Sequence, residues 1–501
     1  MKQLKRTISV LLIGFMIFLN SGMLVHAIGI DQPYAFQYDY YKNALPSPNP
    51  YEVRYEIVPE KIGLGPLKEA GGLFVRDDAA YVCDTGNDRI IKMTLEENAV
   101  SDISIICEGV GWSLSKPTDV FVLGDGTMYI ADSGNNRVLV LDSGRNILFE
   151  VLKPDDVTFS GSLSFVPQKV AVTAGGRIFV QAAGVNRGLI EFSEEGKFIG
   201  YMGASKVTFD FEAYIWKLIS TEKQRDQMAS FVPTEYNNVA VDSEGFLFVT
   251  TSSFNASKLT SGEAEPVRRL NYNGKNILVE NGSSKVIGAL RWDENGPSKF
   301  VDVTALENGI YYVLDSRKNF IYGYDKQGNS LYVFGGQGNK AGYFQQPSAL
   351  EHHGTDLLVL DSKRGTFTVL KQTEYGRSMN DAITFYNNGL YEESYEAWQK
   401  VLKYNGNCTL AYDGIGKIQL RYGDYQNALV NLKYANDSYY YSKAWKQYRK
   451  DWAEKNLVYV FAAVAVLAIG AGVIVKIRKE KEALSRYAEE REQILKSQNR
   501  N

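Results

Sequence analysis

The sequence predicts a mainly β protein: a six-bladed β-propeller, followed by an all-α segment and one transmembrane helix. Three observations carry this reading. A ten-residue motif recurs six times between residues 81 and 367. A helical pattern with a 34-residue offset occupies residues 378–456. Leu457–Val475 is a run of 19 residues without a charge.

The N-terminus comes first in the chain. Lys2, Lys5 and Arg6 precede the apolar run Ile8–Leu19, and Val25-His26-Ala27 has the small residues of a signal-peptidase site. Residues 1–27 therefore read as a secretory signal, and residues 28–49 as a linker.

The propeller is expected over residues 50–375. Its motif reads Tyr-Ile-Ala-Asp-Ser-Gly-Asn-Asn-Arg-Val at Tyr129–Val138, with a close copy 48 residues earlier at Tyr81–Ile90. Weaker copies stand at Phe179–Leu189, Phe248–Leu259, Tyr312–Ile321 and Leu358–Phe367. Each copy follows a short apolar strand and a Gly-containing turn, such as Gly124-Asp-Gly126. Four short strands per unit, with turns between them, are the pattern of a propeller blade. One four-stranded sheet cannot bury both faces, whereas radially arranged blades cover each other. Unit six shows three strands. Val53–Val58 alternates like a strand and is expected to supply the fourth, closing the ring.

Within the motif, the aspartates accept turn N–H groups and glycine supplies the backbone angles. Asp84, Asn87 and Arg89, then Asp132, Asn135 and Arg137, and then Asp315 and Asp361 read as structural. Unit three has Ala182 at the aspartate position and unit four has Thr251. Two insertions flank the decayed copies. Phe209–Phe231 carries apolar residues at helical spacing, and residues 260–298 form a long excursion. Either could shape a binding face.

Counting back from the motif aspartate gives the residue that opens each first strand: Gly72, Asp119, Lys169, Asn238, Asp302 and Ala349. These should line one mouth of the central channel. Asp119, Asn238 and Asp302 are candidate oxygen ligands for Ca²⁺. Lys169 argues against a cation there, and a polar pocket or a salt-bridged mouth are the alternatives. His352 and His353 read as exposed turn residues. No metalloprotease, nucleophile-elbow or phosphate-loop motif appears. Cys83, Cys107 and Cys408 read as packing residues without a disulfide. A net charge of −3 gives no sign of nucleic-acid binding.

The motif resembles that of the NHL-repeat family. The resemblance rests on Asp132–Arg137, on Lys116-Pro-Thr-Asp119, and on Phe334–Gly338 with Gly342-Tyr-Phe344. It implies a six-bladed propeller. The gluconolactonase-like hydrolases, related six-bladed enzymes, use acidic and amide groups at the channel.

In the helical segment, Ala382, Phe385, Gly389, Tyr391, Ser394 and Trp398 recur 34 residues later as Gly416, Gln419, Gly423, Tyr425, Ala428 and Leu432. This resembles two tetratricopeptide repeats, which Ser442–Asn456 is expected to cap. Leu457–Val475 then spans about 28 Å at about 1.5 Å per residue. Lys476, Arg478, Lys479 and Lys481 place residues 476–501 in the cytoplasm as a solvated helix. The propeller and repeats would be extracytoplasmic, in the cell membrane.

Taken alone, the sequence favours a non-enzymatic membrane-anchored binding or scaffold protein without cofactor. Its propeller would present a surface to a protein, peptide or carbohydrate. The layout resembles that of bacterial envelope proteins, some associated with uptake systems. The alternative is a metal-dependent propeller hydrolase or lyase.

Overall fold

The computed structural model describes residues 35–156, 159, 164–185, 187–203, 236–251, 264–280, 286, 288 and 297–498. The proposed signal sequence and the 209–231 insertion lie outside the described residues, as does part of the 260–298 excursion.

Six antiparallel sheets follow one another along the chain, each opening on a short apolar strand. Blade 1 spans Gly72–Ile106 and blade 2 spans Pro117–Val151, with four strands each in simple up-and-down order. Blade 3 runs Pro167–Met202, and blade 4 shows three described strands between Asn238 and Leu270. Blade 5 runs Phe300–Gly335 and blade 6 begins at Pro347. The apolar clusters straddle neighbouring blades. Val138 and Val140 of blade 2, for example, share a core with Val170, Val172 and Val180 of blade 3. Another cluster joins Val82 and Ile91 of blade 1 to Leu358 and Leu360 of blade 6, so the ring is closed by packing.

Closure also uses hydrogen bonds. Tyr51–Ile57 pairs antiparallel with Thr366–Gln372 as the outer strand of blade 6, as its alternation predicts. The expected linker is corrected over part of its length. Ala35–Tyr38 and Ala44–Pro46 form a hairpin on the outer edge of blade 5, where Ala35 and Phe36 pair with Phe334 and Val333. Phe36 is buried there, edge-on to Phe320.

The motif aspartates tie each turn to the segment that enters the blade. Asp84 Oδ1 accepts the Lys68 N–H at 2.7 Å, and Asp132 Oδ1 accepts that of Ser115 at 2.7 Å. Asp315 does the same for Lys299, and Asp361 for Gln345. Asn87 and Arg89 donate to Asp84 Oδ2, and Asn135 and Arg137 donate to Asp132 Oδ2. The aspartates are fully buried, so each depends on these donors to offset its desolvation. The residue after the aspartate reaches the next blade: Thr85 Oγ1 donates to the Pro117 carbonyl, and Ser133 Oγ to that of Pro167.

Helices α1 (Glu374–Asn387) and α2 (Tyr391–Tyr404) belong to the same compact unit as the propeller, which extends to Cys408. Thr373 caps α1 by accepting the Gly376 N–H. A buried polar network then seats the helix. Asn380 Nδ2 donates to Tyr312 Oη at 3.0 Å, Tyr332 Oη donates to Asn380 Oδ1 at 2.9 Å, and Tyr51 Oη lies 2.8 Å from Tyr312 Oη.

A second unit begins at Thr409. It comprises α3 (Thr409–Tyr422), α4 (Tyr425–Tyr434) and α5 (Ser438–Gln498). Helices α3 and α4 approach closely at Gly416, where a Cβ would lie 2.6 Å from Leu432 Cγ. The start of α5 covers the pair: Ala444 is buried with Ala428 and Leu432, with Tyr440 and Tyr441 packed around them. Helix α5 continues unbroken for 61 residues. Its apolar stretch Leu457–Val475 is exposed throughout. The exposed stretch is long and apolar enough to cross a bilayer, consistent with a single-pass membrane protein.

Candidate functional site

The first strands of the six blades converge on the axis, and their inward residues line a channel cavity. Strand alternation sets its layers. One layer holds the predicted residues Gly72, Asp119, Lys169, Asn238, Asp302 and Ala349. Two residues further along each strand lie Phe74, Phe121, Ala171, Ala240, Thr304 and Glu351. The cavity, about 70 Å³, touches Asp119, Lys169, Asn238, Asp302, Thr304 and Glu351. Gly72 serves packing: a Cβ there would lie 2.5 Å from the Thr118 carbonyl oxygen of blade 2.

The structure thus brings the four predicted channel residues together. Lys169 Nζ lies 3.4 Å from Asp119 Oδ1. Asn238 Nδ2 donates to Asp302 Oδ1 at 2.6 Å. Each aspartate also braces the next blade. Asp119 Oδ2 accepts the Val170 N–H at 3.0 Å, and Asp302 Oδ2 accepts the Leu350 N–H at 2.8 Å.

Their electrostatics follow from burial. Burial pushes the Asp302 carboxyl up to about 7, against the pull of the Lys169 charge and of the Leu350 and Val303 N–H groups. Burial also raises Asp119, with Lys169 and the Val170 N–H opposing it. For Lys169, burial favours the neutral amine, but the Asp119 and Asp302 charges outweigh it and hold the ammonium above its ordinary pKa. The mouth is therefore a buried cation facing one carboxylate partner and a second carboxyl that titrates near neutrality.

The sequence reading missed a second cluster. Thr304 Oγ1 donates to Glu351 Oε1 at 2.6 Å and lies 2.6 Å from His352 Nδ1. His352 Nδ1 is also 3.0 Å from Glu351 Oε1. Burial lowers the imidazole's pKa, yet the Glu351 hydrogen bond and charge leave it above its usual value. The expectation of two exposed turn histidines is thereby corrected. Both lie on the strand Pro347–His353, where His352 reaches the channel cavity and His353 pairs with Asp78 across the blade 6–blade 1 seam. Period-two alternation from Asp302 to Thr304 and from Ala349 to Glu351 was a signal that could have found Thr304 and Glu351, but not His352, which stands one residue off that period.

The Ca²⁺ expectation can be tested on the donors. Both Oδ atoms of Asp302 already accept hydrogen bonds, and Asp119 is engaged by Lys169 and Val170. An ammonium beside both carboxyls does not fit a divalent cation's ligand set. Among the described residues no group of three or more His, Cys, Asp or Glu side chains could hold a metal ion.

No protein-family model matches the chain, and no curated protein matches it. Solved structures do. Virginiamycin B lyase from Staphylococcus aureus is 11% identical, with 64% of this chain and 100% of that one covered, at a TM-score of 0.39. A protein of unknown function from Bacteroides thetaiotaomicron is 12% identical, with coverage of 67% and 76% and a TM-score of 0.40. A putative gluconolactonase is 11% identical, with coverage of 65% and 94% and a TM-score of 0.39. The sequence reading leaned towards a protein without catalytic activity, and the similar structures, which include lyases and a putative gluconolactonase, run against that leaning; at these identities and TM-scores the likeness is one of fold alone.

Proposed function

We propose that this protein is a membrane-anchored, extracytoplasmic hydrolase or lyase whose acid–base site is the propeller channel. The observation that carries the reading is Asp302, a buried carboxyl raised to about 7, in one cavity with the Lys169 cation and the His352 imidazole. Such a carboxyl takes up and returns a proton at neutral pH, as a general base or acid must.

For a lactone or ester, the Asp302 carboxylate would take a proton from water as the water oxygen bonds to the carbonyl carbon. The Lys169 ammonium would stabilise the oxyanion. His352 would give its proton to the alkoxide as the C–O bond breaks. A lyase would use the same base on a carbon-bound proton. No metal enters this scheme, because the donors do not fit one.

The finer readings belong to the same proposal. The blades are of NHL type, the helices are tetratricopeptide-like, and residues 1–27 are a secretory signal. The basic residues after Val475 hold the C-terminus in the cytoplasm. Partners are proteins, peptides or carbohydrates at the cell surface, with an uptake system as one setting. The helical repeats would present the propeller to them.

The test is turnover of a panel of lactones, esters and uronate-containing oligosaccharides by the full chain in detergent. Asp302→Asn and His352→Gln should each lower kcat at least about a hundredfold with folding intact by circular dichroism. Turnover that survives Asp302→Asn unchanged contradicts the reading.

A further inference from the structure

The hydrogens shared by Thr304, Glu351 and His352 can be counted, and the count fixes the state of the imidazole. Thr304 Oγ1 is 2.6 Å from Glu351 Oε1 and 2.6 Å from His352 Nδ1, and Nδ1 is 3.0 Å from Oε1. An ionised carboxylate only accepts, and a threonine hydroxyl carries one hydrogen. Were Nδ1 bare, that one hydrogen would have to serve all three contacts, and the ring lone pair would face the carboxylate. A proton on Nδ1 removes this clash. Thr304 then donates to Glu351 and accepts from the ring.

Glu351 Oε1 also accepts the His352 backbone N–H at 2.9 Å, so one oxygen gathers three donors. Thr304 is 3% exposed, whereas the His352 side chain keeps 29% of its surface and lines the channel cavity. One ring nitrogen is thus tied into the wall, and the other is left to meet a ligand.

We propose that Thr304 and Glu351 are positioning residues that hold neutral His352 in its Nδ1–H form, so that Nε2 is the atom that exchanges a proton with a substrate in the channel. The role in turnover rests on the channel reading above, whereas the tautomer does not. Charge acts in the same sense. Burial favours the neutral ring, but the Glu351 hydrogen bond and charge outweigh it, joined by Glu307 in the turn after Thr304's strand. Asp119, Lys169 and Asp302 are the other ionisable groups of the cavity.

Long-range ¹H–¹⁵N correlation on the full chain in detergent, with ¹⁵N-labelled histidine, tests this without a substrate. The sequence has three histidines, and loss of signals in His352→Gln assigns the ring. Above its midpoint His352 should show Nδ1 protonated and Nε2 bare, and that midpoint should exceed the ordinary value of about 6.5. Glu351→Gln should lower the midpoint by about one pH unit and admit the Nε2–H form. Thr304→Val, which removes one of two acceptors, should lower it by less, and Thr304→Ser should leave it in place. Should Thr304→Val fail to fold, Glu351→Gln decides. The proposal is overturned if the wild-type ring carries its proton on Nε2, or if Glu351→Gln moves neither midpoint nor tautomer. On a substrate that turns over, Glu351→Gln should shift the pH profile of kcat by as much as the NMR midpoint, and an unmoved profile overturns the role in turnover. The predicted tautomer in a chain that turns nothing over upholds the assignment of the ring and contradicts the activity proposed for the channel.

Discussion

At the residue scale, the buried carboxyls fall into two kinds. The motif aspartates Asp84 and Asp132 each gather a backbone N–H, an asparagine and an arginine. Asp132→Ala would leave Arg137 without its buried partner and should cost roughly 3 kcal/mol or more in chemical denaturation. In Arg137→Ala the buried Asp132 keeps the Ser115 N–H and Asn135, so that change should cost less. Asp302 is the other kind, since burial raises it to about 7. A carboxyl raised above its unfolded value binds more protons in the folded state. Its contribution is full below the unfolded pKa of about 4 and is lost as pH rises to about 7. Asp302→Asn should therefore flatten the decline in stability between about pH 4 and 7, read as urea midpoints across that window. An unchanged slope would show that Asp302 does not titrate there.

At the element scale, the sequence exposed the repeat but not everything attached to it. The motif spacing and the alternation of Val53–Val58 led directly to six blades and to a closing strand on blade 6, because both are periodic signals. Residues 35–46 gave no such signal. Two strands of four and three residues are too short to show alternation, and they are held by the edge they join. The channel set was legible because Asp119 and Asp302 hold the same place before their motif aspartates. Thr304 and Glu351 follow from that set by period-two alternation, whereas His352 does not, because it stands one residue off the period and meets Thr304 across the blade 5–blade 6 boundary. Deleting residues 50–60 removes the outer strand of blade 6 and should lower the melting temperature of the whole propeller. An unaltered melt would mean the ring closes without it. Tyr312→Phe removes the hydroxyl that Tyr51, Tyr332 and Asn380 share, and should cost about 1–3 kcal/mol in the same assay.

At the scale of the whole molecule, a channelled propeller and a membrane-length helix share one chain. Leu457–Val475 has no cover in its own fold, which fits a segment whose solvent is lipid. A chain ending at Asn456 should partition into buffer, whereas the full chain should resist alkaline carbonate extraction from membranes. Equal extraction of both would remove the anchor. The central claim concerns the channel, and it can be tested without knowing the substrate. Selective carboxyl ¹³C labelling would follow the titration of Asp302 by NMR, assigned by its loss in Asp302→Asn. The account predicts a midpoint near pH 7, moving higher in Lys169→Met as the opposing cation is removed. A midpoint at the ordinary aspartate value of about 4, unmoved by Lys169→Met, would contradict it.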